Sequence, residues 1–166
     1  MTTGTMGRWR TAVVLLAVVA ATVGCDQVSK RLAAVHLLGS PRQSYLGDSV
    51  RLEYAENDGA FLSLGAGLPR WARTALFSAG AALLLAGCGV VALRHPWPRL
   101  PLLGLGLVLA GGLSNLVDRV ARGSVVDFLN VGVGPVRTGI FNLADVAILV
   151  GVALFALGRR RRAGDP

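Results

Sequence analysis

The segment LPLLGLGLVLAGGLSNLV, from Leu100 to Val117, contains no charged side chain over 18 residues. A helix that crosses a hydrocarbon core about 30 Å thick needs roughly 20 predominantly apolar residues, and slightly fewer where polar groups thin or wet the site. The stretch therefore predicts a membrane-spanning helix. The same length criterion can be applied to the rest of the chain.

Three further stretches meet that criterion. They run from about Thr11 to Cys25, Thr74 to Leu93 and Ile140 to Gly158. The 166-residue chain is 53% hydrophobic and 16% charged, and its mean hydropathy is +0.58, which is too apolar for an ordinary soluble domain. No low-complexity segment marks a linker. We therefore expect one domain over residues 1–166, an all-α membrane protein with four transmembrane helices.

The distribution of basic residues predicts the orientation of these helices. The formal net charge is +8, but the basic residues flank apolar runs and form no stripe with aromatic residues, so no nucleic-acid partner is expected. The two chain ends and the turn around His95 are short, rich in arginine and almost free of acidic residues. The positive-inside rule then places both termini in the cytoplasm.

Two longer segments, roughly Asp26 to Arg73 and Asp118 to Gly139, fall on the opposite side of the membrane in this topology. Within the first, the sequence SVRLEY from Ser49 to Tyr54 alternates apolar and polar residues, which is typical of a short strand. We expect a small extracytoplasmic β element there.

Two aspartates lie in apolar surroundings and are the strongest functional candidates. Asp145 lies about one turn inside the fourth apolar run, with Asn142 three residues earlier, and Asp127 lies in the apolar segment VVDF. An ionisable group inside a membrane span costs roughly 2.5 to 3.5 kcal/mol on insertion scales, so a functional reason is expected. Low dielectric also disfavours the ionised carboxylate.

Two such carboxyl groups can share one proton. One carboxylate can take a proton from water while its protonated partner polarises a scissile carbonyl, so a peptide bond is hydrolysed without a metal or a nucleophilic serine. An alternative is that each aspartate pairs with an arginine and only holds the bundle together. The arginines available for that role are Arg119, Arg122 and Arg137.

Other hydrolytic chemistries fit the sequence less well. His36 and His95 are far apart and form no HExxH motif, and Cys25 and Cys88 have no metal-ligand spacing, so neither a metal nor another cofactor is expected. Ser114 lacks a histidine within the apolar runs that could act as its base.

Four segments of the chain resemble the lipoprotein signal peptidase family, the membrane aspartic peptidases also called signal peptidase II. The segments are DQVSK at Asp26 to Lys30, ENDGAFLSL at Glu56 to Leu64, SNLVDRVARGSVVDF at Ser114 to Phe128, and FNLADVAI at Phe141 to Ile148. They occur in the family's order and span nearly the whole chain.

The resemblance implies that Asp127 and Asp145 form the catalytic dyad and that Asp118 does not belong to it. Further residues are implied to support the site or bind substrate: Asp26, Lys30, Asn57, Gly59, Asn115, Arg119 and Asn142. It also implies a multi-pass protein of the bacterial cytoplasmic membrane with its active site near the outer leaflet. The implied substrates are prolipoproteins, cut just before a diacylglyceryl-modified cysteine, with membrane lipid as surroundings and no obligate protein partner.

Two other interpretations assign the chain to a different class of protein. The N-terminal segment resembles a lipoprotein signal that ends at Cys25, whereas we interpret Cys25 as a helix-end residue. A membrane binding protein or transporter subunit could use intramembrane aspartates as proton relays. That second interpretation leaves the paired VVDF and FNLAD segments unexplained.

Overall fold

The computed structural model describes residues 7–58 and 68–163. Its helices are α1 (Arg8–Leu37), α2 (Arg70–Arg94), α3 (Arg99–Arg122) and α4 (Leu143–Ala163). Its strands are β1 (Gln43–Tyr45), β2 (Val50–Asn57), β3 (Val125–Val133) and β4 (Val136–Arg137). The architecture is therefore mostly helical, with a small sheet, as the sequence predicts.

All four predicted segments are helical, and three of these helices, α1, α2 and α3, are long and apolar enough to cross a membrane. The predicted ends of the segments are less accurate. The helix over 11–25 extends at both ends, the one over 100–117 continues to Arg122, and the one expected from 140 begins only at Leu143. The prediction of a helix over 74–93 is nearly correct, since α2 begins four residues earlier and ends one residue later.

The largest difference concerns α1, which continues for twelve residues beyond Cys25 to Leu37. The sequence suggests a helix end at this point because charged residues begin at Asp26. In the structure Asp26 and Lys30 are fully buried within the protein, and the helix does not end there. Cys25 is therefore an exposed residue inside α1 and not the helix-end residue that we expected.

Helix α3 lies at the centre of the bundle, where it packs against α1, α2 and α4. Its contact with α4 is very close because a Cβ atom on Gly104 would lie 2.5 Å from the carbonyl oxygen of Gly151. Further along the same contact, a Cβ on Gly111 would lie 2.3 Å from the carbonyl oxygen of Ala144. Small residues thus let the two backbones touch from the start of α4 to its middle.

The four strands form one sheet in the order β1-β2-β3-β4, and every neighbouring pair is antiparallel. The predicted strand over residues 49–54 is confirmed as most of β2. The sheet is larger than the sequence suggests, because the segment that contains Asp127 forms the further strand β3. Gly123, with φ of 82°, ends α3 in the left-handed conformation that glycine tolerates, and β3 begins two residues later.

Candidate active site

Asp127 is the third residue of β3 and is only 3% exposed. The amide of Asn57, on the neighbouring strand β2, donates to its Oδ2 at 3.1 Å. The amide of Asn142, just before α4, donates to its Oδ1 at 2.7 Å. Each carboxylate oxygen therefore accepts a hydrogen bond from a neutral amide.

Asp145 lies in the first turn of α4, because the helix begins at Leu143. The Asn142 side-chain oxygen accepts a hydrogen bond from the backbone N–H of Asp145 at 3.0 Å, and Asp145 Oδ2 accepts one from the backbone N–H of Asn142 at 3.2 Å. This reciprocal pair caps the helix N-terminus in the manner of a capping box. The capping interaction fixes the Asp145 carboxylate while leaving it partly exposed.

Asn115, on α3, completes the connection between the two aspartates. Its Nδ2 donates to Asp145 Oδ1 at 2.9 Å, and its Oδ1 accepts a hydrogen bond from Asn142 Nδ2 at 3.2 Å. The same Asn142 amide contacts Asp127. Three elements that follow closely along the chain, α3, β3 and the start of α4, therefore bring Asp127 and Asp145 to one position, where they share a hydrogen-bond network.

A buried ionic cluster lies directly behind this position. Lys30 Nζ is 2.7 Å from Asp26 Oδ2 and 2.7 Å from Asp118 Oδ2, and all three side chains are at most 1% exposed. The same Nζ donates to Asn115 Oδ1 at 2.8 Å. Lys30 thus fixes the orientation of the amide that donates to Asp145. We name Asp26, Lys30 and Asp118 the ionic cluster.

The ionic cluster also holds the start of α4. Asp26 Oδ1 accepts a hydrogen bond from the backbone N–H of Ala144 at 2.8 Å, and Ser114 Oγ donates to Asp26 Oδ2 at 2.7 Å. Sequence reasoning missed the structural role of Ser114 and the pairing of Asp118 with Lys30. The available signal was the spacing of Ser114 and Asp118, two polar residues that lie one helical turn apart on α3 and therefore share a face.

Arg119 and Gly59 are the two predicted site residues that the described contacts do not connect to the aspartates. Arg119 lines a cavity of about 700 Å³ between α2, α3 and β2, together with Glu56 and Trp71. Its buried Nε has no hydrogen-bond partner within the described ranges. Gly59 lies outside the described residues.

The alternative role for the aspartates, pairing with arginine, is not found in the described part of the chain. Within residues 7–58 and 68–163, neither Asp127 nor Asp145 forms an ion pair with an arginine. Arg137 instead lies 3.8 Å from a carboxylate oxygen of Asp48. The same ranges contain no cluster of three or more His, Cys, Asp or Glu side chains that could hold a metal ion.

The electrostatic surroundings of Asp127 favour its protonated form. Burial raises the pKa of Asp127 above its ordinary value, and the charge of Asp145 raises this pKa further. The hydrogen bonds from Asn57 and Asn142 act in the opposite direction but do not cancel the increase in pKa. Two nearby carboxyl groups, one of them with a raised pKa, are typical of an aspartic peptidase.

Comparisons with known proteins agree with this class. The family model for signal peptidase (SPase) II matches residues 18–159. The lipoprotein signal peptidase of Burkholderia ambifaria (strain MC40-6) is 41% identical over 140 residues, which cover 82% of this chain and 81% of that protein. The lipoprotein signal peptidase of Burkholderia multivorans is 39% identical over the same length and coverage.

The fold is similar to that of solved membrane enzymes. A bacterial membrane enzyme solved by the in meso method at 1.9 Å resolution has a TM-score of 0.77 and 23% identity, covering 88% of this chain and 92% of that chain. A second, solved at 2.3 Å resolution, has a TM-score of 0.76 and 22% identity, covering 91% of this chain and 90% of that chain. The chain belongs to the signal peptidase II family of aspartic peptidases, which remove signal peptides from prolipoproteins.

Proposed function

We propose that Asp127 and Asp145 are the catalytic pair, and that they hydrolyse the peptide bond just before a diacylglyceryl-modified cysteine of a prolipoprotein. The observation that carries this proposal is the position of Asn142. Its side-chain amide donates to Asp127 at 2.7 Å, and its backbone N–H donates to Asp145 at 3.2 Å. One residue therefore sets the relative position of the two carboxyl groups.

The first step is the addition of water to the scissile carbonyl. Asp145 is the more exposed carboxylate, so it takes a proton from the attacking water. Asp127, whose pKa is raised by burial, is protonated and donates its proton to the carbonyl oxygen. A C–O bond forms, the carbonyl becomes a tetrahedral gem-diol, and the proton moves from Asp127 to the substrate while Asp145 gains one.

The second step breaks the peptide bond. Asp145 returns its proton to the amide nitrogen, the C–N bond breaks, and Asp127 takes back a proton from one hydroxyl of the gem-diol. The products are the signal peptide, with a new carboxyl terminus, and the lipoprotein, with a free amino group on its cysteine. The two carboxyl groups are then in their starting states, so no cofactor or metal is required by this proton balance.

The other predicted residues act on the dyad or the substrate in this proposal. Asn57, Asn115 and Asn142 hold the carboxylates by hydrogen bonds, while Asp26 and Lys30 hold the elements that carry them. Arg119 is assigned to substrate binding because its guanidinium lines a cavity and retains an unused donor, and Gly59 is assigned to the same role on the resemblance alone.

The proposed membrane arrangement has α4 as a fourth span, both termini in the cytoplasm, and the dyad near the outer leaflet of the bacterial cytoplasmic membrane. The supporting observations are the 21-residue length of α4 and the arginines that follow its apolar part. The helices and sheet act as one peptidase domain, without an obligate protein partner. A reporter fused in the loop at Gly47 should lie outside, and one after Arg162 should lie inside.

Cleavage of a lipidated prolipoprotein, followed by gel shift, tests the proposal. Asp127→Asn and Asp145→Asn keep the side-chain volume but cannot cycle a proton, so each should lower kcat by about 10⁴-fold, and the double variant should be hardly worse because the pair acts as one unit. Asp118→Asn is the matched control and should retain measurable activity. Full activity of either dyad variant would refute the assignment.

The same assay tests the substrate class. The diacylglyceryl group is expected to position the scissile bond at a site beside the membrane, so binding energy serves orientation. Wild-type protein should cleave the lipidated prolipoprotein and leave its unlipidated precursor intact. Equal cleavage of the two would contradict the lipid requirement without affecting the assignment of the dyad.

A further inference from the structure

A second concave site lies at the end of the bundle opposite the aspartates. It is a cavity of about 550 Å³, and its lining comes from the end of α2, the α2–α3 turn, the start of α3 and the end of α4: Val91, His95, Trp97, Pro98, Pro101, Gly158 and Arg159. Arg159 follows Asp145 by 14 residues on α4, which is about 20 Å along a helix. We name this cavity the arginine pocket.

The side chains of the arginine pocket are held in place by packing. Trp97 Nε1 donates to the backbone oxygen of Val91 at 3.2 Å, and the Trp97 ring lies 5.3 Å from the Phe155 ring. The Arg159 guanidinium lies over this Phe155 ring, 5.9 Å from its centroid. A Cβ on Gly158 would lie 2.6 Å from Pro101, so α4 approaches the start of α3 closely.

The charged side chains on the described residues that line or flank the arginine pocket have one sign. Residues 91–100 and 155–159 contain no acidic residue, while Arg94, Arg99 and Arg159 are all exposed there. Helix α3 also begins at Arg99 without a side-chain cap, and the N–H groups of Arg99 and Leu100 add partial positive charge there, since Pro98 and Pro101 carry no N–H group. A phosphate is the chemical group that matches this combination of guanidinium and free backbone N–H donors.

The surroundings of the arginine pocket select a phosphate that carries acyl chains. Leu93 and Leu157, which are 46% and 53% exposed, lie within two residues of pocket-lining positions on α2 and α4. Trp97 lies where the apolar helices end, as tryptophan does at a membrane–water interface. We infer that the arginine pocket binds the headgroup of an anionic phospholipid, with the phosphate at Arg159 and the acyl chains along α2 and α4.

Native mass spectrometry of the detergent-solubilised protein, titrated with phosphatidylglycerol or phosphatidylcholine, tests this inference. Wild-type protein should retain phosphatidylglycerol preferentially. Arg159→Gln should weaken that binding about fivefold, the effect of one basic residue near an anionic lipid surface, and Arg159→Lys should lose less because it keeps the charge. Prolipoprotein cleavage should continue in both variants, because the pocket is remote from the dyad.

Arg42→Gln is the matched control. Arg42 is an exposed arginine in the segment before β1, and its substitution changes the net charge by the same amount. It should leave the affinity for phosphatidylglycerol unchanged. Equal retention of the two lipids, or an Arg42→Gln effect as large as that of Arg159→Gln, would overturn the inference. Displacement of the lipid by millimolar inorganic phosphate would also overturn it, because the pocket would then recognise phosphate alone.

Discussion

The ionic cluster and the aspartate pair are neighbours that hold their carboxylates in opposite ways. In the ionic cluster, one lysine lies 2.7 Å from each of two aspartates, and none of the three side chains is more than 1% exposed. Among the described residues, Asp127 and Asp145 form no ion pair and are held by amide and backbone N–H donors. The first arrangement fixes charge, whereas the second leaves protons free to move.

Asn115 joins the two regions. Its Oδ1 accepts the hydrogen bond from Lys30, and its Nδ2 donates to Asp145. An amide has distinct donor and acceptor ends, so Lys30 at one end determines that the other end presents N–H to the carboxylate. The structural charge therefore orients the proposed catalytic group without neutralising it, and changes to either region should have separable effects.

The largest expected effect is on folding, from loss of the cation in the ionic cluster. Lys30→Met has similar length but leaves Asp26 and Asp118 as unpaired buried carboxylates. Removal of one partner of a buried ion pair typically destabilises a protein by about 3 to 5 kcal/mol. We expect the free energy of unfolding in detergent to fall by that amount, with a matching decrease in Tm.

The partly exposed pair of Asp48 and Arg51 provides the control for this prediction. The Asp48 side chain is 46% exposed, so water solvates its charge when the partner is lost. Arg51→Met should therefore shift the Tm far less than Lys30→Met. Similar shifts for the two variants would mean that the ionic cluster contributes no more than a surface ion pair.

An intermediate effect is expected at Asn115, where the two regions meet. Asn115→Ala removes the donor to Asp145 and the acceptor for Lys30, so the Asp145 carboxylate loses its fixed position. Misplacement of a reacting group by about 1 Å can cost about 10²-fold in rate. Steady-state kinetics should show a decrease of that size in kcat with little change in KM, because Asn115 is assigned no substrate contact.

Asn130→Ala serves as the control for Asn115, since Asn130 is also a buried asparagine but binds the carbonyl oxygen of Thr138 and the side chain of Arg137. It makes no contact with either aspartate among the described residues, and its kcat should stay close to that of the wild type. If kcat decreased as much in Asn130→Ala as in Asn115→Ala, the decrease would be a general effect of losing a buried amide.

The sequence identifies the membrane segments and both aspartates because each leaves a local signal. Apolar runs of about the membrane thickness predict the helices, and a charged residue within an apolar segment predicts burial of Asp127. The extension of α1 leaves no such signal. Asp26 and Lys30 are charged and therefore suggest exposure to solvent. Their burial is favourable because they pair with each other and with Asp118 and Ser114 on the distant helix α3.

The strand that holds Asp127 is also hard to predict. Residues 125–128 are all buried, so the sequence shows no alternation of apolar and polar positions, and a buried strand resembles a piece of helix. Its pairing with β2 joins Asn57 to Asp127 across 70 residues. Local patterns therefore predict which residues matter, while the distances between them depend on contacts remote in sequence.

The smallest expected effect concerns the pH profile and tests the hydrogen bond between Asn57 and Asp127. That bond lowers the pKa of Asp127, against the larger raising effect of burial. Asn57→Ala removes it, so the pKa of Asp127 should rise further. Because the mechanism needs Asp127 protonated, activity falls as pH increases through this pKa. The alkaline limb of the kcat/KM profile should therefore move to higher pH in Asn57→Ala and stay in place in Asn130→Ala. A shift to lower pH would show that the Asn57 amide stabilises the protonated form of Asp127 instead of its carboxylate.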